Sequence, residues 1–340
     1  MVTFLTGGSG HLGANLVRRL VADGQRVRAL VVPGHDNRAL DGLDVERVEG
    51  DVRDADRMNA VLKGCDRVFH TAAKVSTLNG TKRELEELYG INVMGTRHVL
   101  EAARRAGVAR VVVTSSLSAV GYHVDDPHRP ADESMPHNPF AHAMPYGRTK
   151  ALCEHECLSA VAAGLDVVMV VSTGIVGPND WLPSRTGGTI IDMAKGKLRA
   201  YVPGGVEFVA ANDIVQGHVL AMEKGRTGHR YIVSTSYHTL DEMLGFFEAA
   251  TGRKRPWLRI PPGLMLSVGG LTHAVKETFF PRSPQRFTPQ AIRLLQLHRR
   301  ADTTKARTEL GFVPTSVAEA VNDAVAFFRR VGMIPSKESP

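Results

Sequence analysis

The 340-residue chain is 43% hydrophobic and 23% charged, a composition ordinary for a soluble globular protein of one large α/β domain or two smaller ones. Its formal charge of +7 is scattered along the sequence. The densest basic clusters, "GRKRP" and "HRR", are short and carry no interleaved aromatics, which argues against a nucleic-acid partner and for a mild attraction to an anionic cofactor.

Val2–Thr6 is a short apolar strand that runs into glycines. Leu12, Leu16, Leu20, Val17 and Val21 then fall at helical spacing, with Gly24 as the stop. "QRVRALVV" and "DVERVEGDV" read as strands, "DADRMNAVLKGC" as a helix capped near Asp54, and "DRVFHTAA" as a buried strand. "KRELEELYGINVMGTRHVLEAARRAG" is predicted to be one long helix ended by Gly107. The strand "VARVVVTSS", a helix from Tyr146 to a stop at Gly164, and the strand "LDVVMVVSTGIVGP" complete the series. Strands alternating with helices predict an α/β fold with a parallel, doubly wound sheet, and runs such as "VVMVVS" suit strands buried on both faces.

Beyond Gly177 the pattern loosens. "TGGTIIDMAKGK" reads as a helix, "FVAANDIVQGHVLAMEKG" as a strand then a helix, "HRYIVS" as a strand, and the stretch after Thr239 as a capped helix. A Pro/Gly-rich aperiodic segment starts at Pro256; the chain closes with a short helix, a turn and an amphipathic helix. The organisation predicted is a dinucleotide-binding Rossmann domain over residues 1–176. A smaller C-terminal substrate lobe follows over residues 177–335, with some segments returning to the Rossmann sheet. The start "MVTFLTGG" lacks signal-peptide character, and Pro261–Leu271 is too short and glycine-rich to span a bilayer, so no transmembrane segment and a cytoplasmic location are expected. Three cysteines point to reduced, buried thiols; Cys153 and Cys157 lie near His155, but no second ligand pair with zinc spacing accompanies them, so no metal site is expected.

Gly7, Gly10 and Gly13 sit between the first strand and the first helix. A pyrophosphate needs such a tight turn, a backbone near enough to donate N–H groups, and a helix packed closely on the strand. The spacing is one residue wider in its first gap than G-x-G-x-x-G. Together with "GDV" (Gly50–Val52), "HTAA" (His70–Ala73), "NVMGT" (Asn92–Thr96), "TSS" (Thr114–Ser116), "YGRTK" (Tyr146–Lys150) and the closing "DTTKARTELGFVP", this loop resembles the extended branch of the short-chain dehydrogenase/reductase family. The resemblance implies an NAD(P)H cofactor held by Gly7, Gly10, His11, Leu12 and Gly13. It also implies contacts from Val32, Arg38, Asp51, Val52, Thr71, Ala72, Ala73, Thr114, Tyr146, Lys150, Thr173 and Gly174. Val31 and Val32 stand where a ribose-binding acid or a phosphate-binding base is expected; Asp36 would serve NADH and Arg38 NADPH, and the sequence leaves both open.

Of the six tyrosines, Tyr146 alone has lysine four residues on, and Pro145 suits a first helical turn. A free phenol titrates near 10, and a neighbouring ammonium in a dry cleft favours the phenolate. The resemblance makes Tyr146 the acid/base, Lys150 its electrostatic tuner and ribose ligand, and Ser116 the holder of the substrate oxygen, with Ser115 and Ser118 as rivals. Asn92 would kink the central helix and relay protons, or satisfy backbone groups there. No Asp-Glu pair follows Thr114 as in dehydratases of the branch, "AVGY" replaces the V-Y-G of epimerases, and Val171 replaces an arginine common in nucleotide-sugar enzymes. The pattern is thus most similar to dihydroflavonol reductases and 3β-hydroxysteroid dehydrogenases. The expected activity is NAD(P)H-dependent reduction of an apolar cyclic small-molecule ketone, polycyclic or isoprenoid. Trp181, Leu182, Phe208, Trp257, Met265, Leu266, Phe279 and Phe280 would line its pocket or fill the lobe core. A nucleotide-sugar epimerase and a non-catalytic nucleotide sensor are the rivals, and the family suggests a homodimer through the helices at 83–105 and 146–163.

Overall fold

Valine-rich runs bury both faces of the central strands, as the sequence pattern requires. The computed structural model describes residues 1–76, 80–123, 125–126, 128–138, 143–264 and 289–336. Its main sheet contains β1 (Val2–Thr6), β2 (Arg26–Val31), β3 (Val45–Glu49), β4 (Arg67–His70), β5 (Arg110–Ser116), β6 (Val167–Ser172) and β10 (Arg230–Val233). The order is β10-β6-β5-β4-β1-β2-β3, with every pair parallel. The order reverses between β1 and β4, so a crevice opens where their carboxyl ends meet the following loops. Register pairs Thr6 with His70 and Ser116 with Ser172, which brings the residues after four strands to one edge.

Helices cover both faces. α1 (His11–Ala22) and α7 (Ala211–Lys224) share one core with Leu5, Phe69 and Val112. α2 (Ala55–Val61), α4 (Gly95–Arg105) and α5 (Pro145–Ala162) share the other with Phe4, Val68 and Val111. Phe4 and Leu5 are adjacent and both fully buried, one in each core, because successive strand side chains point to opposite faces. Each such side chain contributes about 1.5–3 kcal/mol by leaving water. The helix ends follow local chemistry. Asp54 accepts from the backbone N–H of Arg57 at 2.9 Å to cap α2, and Gly107 and Gly164 take left-handed backbone just past α4 and α5.

The structure departs from the sequence pattern in three places. The predicted long helix is α3 (Lys82–Tyr89) and α4 joined by a π-turn at Gly90–Met94. The predicted strand after Gly164 breaks at Thr173, and its second part, β7 (Gly174–Val176), joins a separate sheet with β9 (Gly205–Ala210) and β11 (Ser236–Thr239). The missing side chain at Gly174 permits this, since a Cβ there would lie 3.3 Å from the Glu207 carbonyl oxygen and 3.4 Å from the Phe208 ring. Near the C-terminus, the expected short helix is a π-turn, Ala306–Leu310, stopped by left-handed Gly311.

The lobe core gathers Ile190 of α6 (Arg185–Ala194), Phe247 of α8 (Leu240–Thr251), and Phe327 and Phe328 of a C-terminal helix, Val317–Arg330. Phe208 is buried within it, and Trp181 packs edge-on against Phe327 at 5.2 Å. Leu182 and Trp257 are instead exposed, so neither fills the core. Met265, Leu266, Phe279 and Phe280 lie outside the described residues. All three cysteines are free and buried.

Candidate active site

Close packing forces glycine into the loop after β1. Gly7 has φ +76°, and a Cβ on it would lie 2.6 Å from the Ala72 amide nitrogen and 2.8 Å from Thr71 Oγ1. A Cβ on Gly13 would lie only 2.1 Å from the Gly7 carbonyl oxygen. Gly10 is the N-cap of α1 and brings no side-chain cap, so the first N–H groups of the helix point out of its end with the positive end of the dipole behind them. Leu12 is buried in the core, which leaves only its backbone for a ligand. His11 sits beneath the loop after β7: its Nε2 lies 3.1 Å from the Pro178 carbonyl oxygen, while its buried Nδ1 has no partner. Burial holds the His11 imidazole below its ordinary value against the opposing charge of Asp180. Asn15 donates to the carbonyls of His11 and Pro178 and accepts from Asn179, lacing that loop to α1.

At the end of β2, Asn37 Nδ2 donates to the Val32 carbonyl at 3.3 Å, and Ser9 of the glycine loop donates to Asn37 Oδ1 at 2.5 Å. Asp36 and Arg38, the two rival selectors of cofactor type, are ion-paired with each other at 2.9 Å, with the Arg38 guanidinium 5.8 Å from the centre of the Trp181 ring. Asp51 is held by the backbone N–H and the guanidinium of Arg53; the Arg53 hydrogen bonds keep its carboxyl below the usual range. Val52 packs under the central helix, where a Cβ on Gly95 would lie 2.6 Å from its Cγ2. After β4, Thr71 Oγ1 donates to the Thr6 carbonyl at 2.7 Å, and the half-buried Ala72 and Ala73 follow it along the crevice edge. Thr173 sits at the break after β6, its hydroxyl 3.3 Å from Ser234 Oγ, with Gly174 starting β7 beside it.

Lys150, one turn along α5 from Tyr146, is 3% exposed; its Nζ donates to the Thr114 carbonyl at 2.7 Å and pairs with no carboxylate among the described residues. Two buried histidines flank this ammonium. His218 Nδ1 faces the Ile214 carbonyl at 2.7 Å, which can only accept. Its Nε2 must therefore accept from the Thr114 hydroxyl, 2.8 Å away. The Thr96 hydroxyl donates to the Asn92 carbonyl, so His70 Nε2 donates to Thr96 and its Nδ1 accepts from Thr6. Burial, reinforced by the Lys150 charge, takes His70 down to about 3. Burial takes His218 down to about 4, partly offset by its bond to the Ile214 carbonyl and assisted by Lys150. Both rings are neutral at neutral pH, which leaves Lys150 as the cation of the cluster.

Tyr146 is half-buried in the first turn of α5, directly after Pro145. That turn presses on the serine segment, because a Cβ on Gly147 would lie 2.9 Å from the Ser118 carbonyl oxygen. Ser116 Oγ accepts from the Ser118 backbone N–H and hydroxyl at 3.2 and 2.9 Å, so its own hydrogen is left for another acceptor. Ser115 points the other way along β5 and donates to buried Glu154. Asn92 lies in the π-turn and clamps both backbone groups of Lys74, accepting from its N–H at 2.8 Å and donating to its carbonyl at 2.9 Å. It also donates to Thr149 Oγ1, which in turn donates to the Tyr146 carbonyl at 2.8 Å. Thr149, Thr96, Thr6, His218, Ser9 and Asn37 were not among the expected site residues, although Thr149 and Thr96 carried a signal as members of "YGRTK" and "NVMGT".

Residues 3–234 match the family described as the NAD dependent epimerase/dehydratase family. The chain is 46% identical to sterol demethylase protein B of Methylococcus capsulatus over 98% of this chain and all of that protein. It is 30% identical to the 4-hydroxy-2-methyl-3-oxo-4-farnesyl-3,4-dihydroquinoline-1-oxide ketoreductase of Stigmatella aurantiaca over 92% of each. The solved UDP-glucose 4-epimerase of Thermotoga maritima superposes with a TM-score of 0.79, covering 97% of this chain and 99% of that one; at 21% identity it shows the fold alone.

Proposed function

The chain belongs to the NAD dependent epimerase/dehydratase family and is an oxidoreductase of its extended short-chain type, and from this we propose that it reduces a ketone on an apolar polycyclic or isoprenoid small molecule. One observation carries the reading: a buried lysine with no carboxylate partner among the described residues sits one helical turn from Tyr146, and that turn packs on the serine segment of β5. The names of the two relatives, one concerned with sterols and one with a farnesylated ketone, support the substrate class.

The glycine cradle, closed to any Cβ, and the uncapped start of α1 fit a dinucleotide's pyrophosphate. Gly7, Gly10, His11, Leu12 and Gly13 would hold it, with Lys150 at the ribose. A bound nicotinamide supplies hydride chemistry. The protein's own residues manage the proton. Ser116 turns its unused hydrogen toward the carbonyl oxygen and fixes it. Tyr146 passes its phenolic proton to the same oxygen as negative charge gathers there. The Lys150 ammonium, paired with no carboxylate among the described residues, stabilises the phenolate left behind. The chain from Asn92 through Thr149 to the Tyr146 carbonyl holds the first turn of α5 in place.

Tyr146→Phe removes the proton and little else, so turnover is expected to fall by about 10²–10⁴-fold with nucleotide affinity unchanged. Retained turnover would sink the mechanism. The wild-type protein, given NADH or NADPH and a panel of cyclic and isoprenoid ketones, is expected to consume nicotinamide stoichiometrically with product. Interconversion of a nucleotide sugar without net cofactor loss would establish the epimerase reading instead.

A further inference from the structure

Trp257 is 89% exposed, an unusual position for the largest apolar side chain, and it sits on a ridge built by two distant segments. β8 (Ala200–Tyr201) and β12 (Leu258–Arg259) pair in parallel, with Ala200 opposite Leu258 and Tyr201 opposite Arg259. That register sets Lys197 and Arg199, which lead into β8, alongside the approach to β12 that carries Trp257. On the β12 side, left-handed Gly252 ends α8 and turns Arg253, Lys254 and Arg255 outward, while buried Pro256 anchors the strand's start. Leu258 and Leu264 add exposed aliphatic surface.

The charge on this ridge is lopsided. Arg255 and Arg259 spend their charges on Glu248 and Asp241, at 3.9 and 3.5 Å. Lys195, Lys197, Arg199, Arg253 and Lys254 are exposed and pair with no carboxylate among the described residues. Five cations without a carboxylate partner in the segments leading into the two strands, with an exposed tryptophan and two exposed leucines, have the composition that suits a lipid headgroup region. Trp prefers the interface between water and hydrocarbon, leucines gain by entering it, and each cation is drawn to anionic headgroups. A nucleic acid would use the cations but gain nothing from exposed leucines, and a single indole is a poor stacking platform. No helix among the described residues is long and apolar enough to cross a membrane, and the contact proposed is with the membrane surface.

We propose that the β8–β12 ridge docks this protein onto membranes containing anionic phospholipid, with Trp257 inserted at the headgroup level. The docking is independent of which carbonyl the active site reduces, and it would survive failure of that reading.

The test is co-sedimentation of the full chain with vesicles of phosphatidylcholine alone and of an equimolar mixture of phosphatidylcholine and phosphatidylglycerol, read together with tryptophan emission. Binding to the mixed vesicles, weakened by salt, is expected with a blue shift. Trp257→Ser abolishes that shift and lowers binding about tenfold, a fold-change typical of burying one large apolar side chain. Trp181, the second of two tryptophans, packs on Phe327 and serves as the internal reference. Neutralising Lys195, Lys197 and Arg199 together with glutamine lowers binding by about fivefold per cation. All the altered side chains are exposed, so unchanged circular dichroism should confirm folding. The proposal is overturned by equal affinity for both vesicle types, by absence of binding, by binding indifferent to Trp257→Ser, or by Trp257-dependent retention on single-stranded DNA but not on vesicles.

Discussion

Gly13→Ala adds one methyl group at the tightest point of the molecule. A Cβ there would lie 2.1 Å from the Gly7 carbonyl oxygen, 2.7 Å from the Gly7 carbonyl carbon and 2.9 Å from Gly8 Cα, all of them backbone atoms. Relief requires α1 to retreat from the loop by more than about 1 Å, since carbon contacts settle near 3.5–4.0 Å. Overpacking of this kind costs about 1–3 kcal/mol, so thermal unfolding followed by circular dichroism should fall by several degrees. The same retreat withdraws the N–H donors of α1 from hydrogen-bonding range of an anion. Losing one charge-assisted bond of about 1.5–3 kcal/mol weakens nucleotide binding by roughly 10–100-fold. Gly245→Ala is the control: it lies inside α8 with nothing within 4 Å of the added Cβ, and should gain about 0.5–1 kcal/mol with no effect on nucleotide. Fluorescence titration of Gly13→Ala with NADH and NADPH decides the matter. Wild-type affinity in that variant would refute the assignment of this loop to the pyrophosphate.

Acid should destabilise the protein through its buried histidines. His70 and His218 sit at about 3 and about 4 when folded, below their ordinary 6.5, so the unfolded chain binds their protons more readily. Their contribution is complete above pH 6.5 and is lost as pH falls toward the folded values, at about 1.4 kcal/mol per pH unit for each ring. Urea midpoints between pH 7 and pH 5 should therefore fall steeply, and the His70→Gln/His218→Gln double variant should flatten that slope; an equally steep decline in the variant would place its source elsewhere. Beyond the end of β2, Arg38→Ala leaves Asp36 alone and, if the pair selects the cofactor as proposed, is expected to raise KM for NADPH about 10–100-fold relative to NADH, while Asp36→Ala should shift preference toward NADPH. An unchanged ratio of the two KM values in both variants would remove this pair from cofactor selection.

What could be read from sequence was whatever local chemistry decides. Gly24, Gly107 and Gly164 stop helices because each occupies left-handed backbone, and Asp54 caps α2 through a bond three residues away. Gly7 and Gly13 announce a close approach, and in the fold an added Cβ would lie 2.6 Å and 2.1 Å from neighbouring backbone atoms. What resisted was set by contacts across the fold. Nothing near His218 signals that its partner is Thr114, 104 residues earlier. Glu154 reads as one more charged residue on a helix, yet it is buried beneath Arg230, His137 and Ser115. The departure of β7 from the main sheet was hidden because "VVMVVSTGIV" has the same apolar character on both sides of the break. The π-turn at Gly90–Met94 preserves helical periodicity well enough to pass for uninterrupted helix.

The position of β10 bears on how the chain is assembled at the ribosome. β6 ends at Ser172, but the strand that covers its outer edge, β10, begins at Arg230, after β7, β9, α6 and α7 have been made. While those intervening residues emerge, β6 is an uncovered border of apolar valines, open to pairing with another nascent chain. Because β10 is made after every other strand of the main sheet, its pairing with β6 is the last to become available during synthesis. Truncation after residue 176 would make that exposure permanent, yielding a fragment that carries the glycine loop, Ser116, Tyr146 and Lys150 but aggregates through β6.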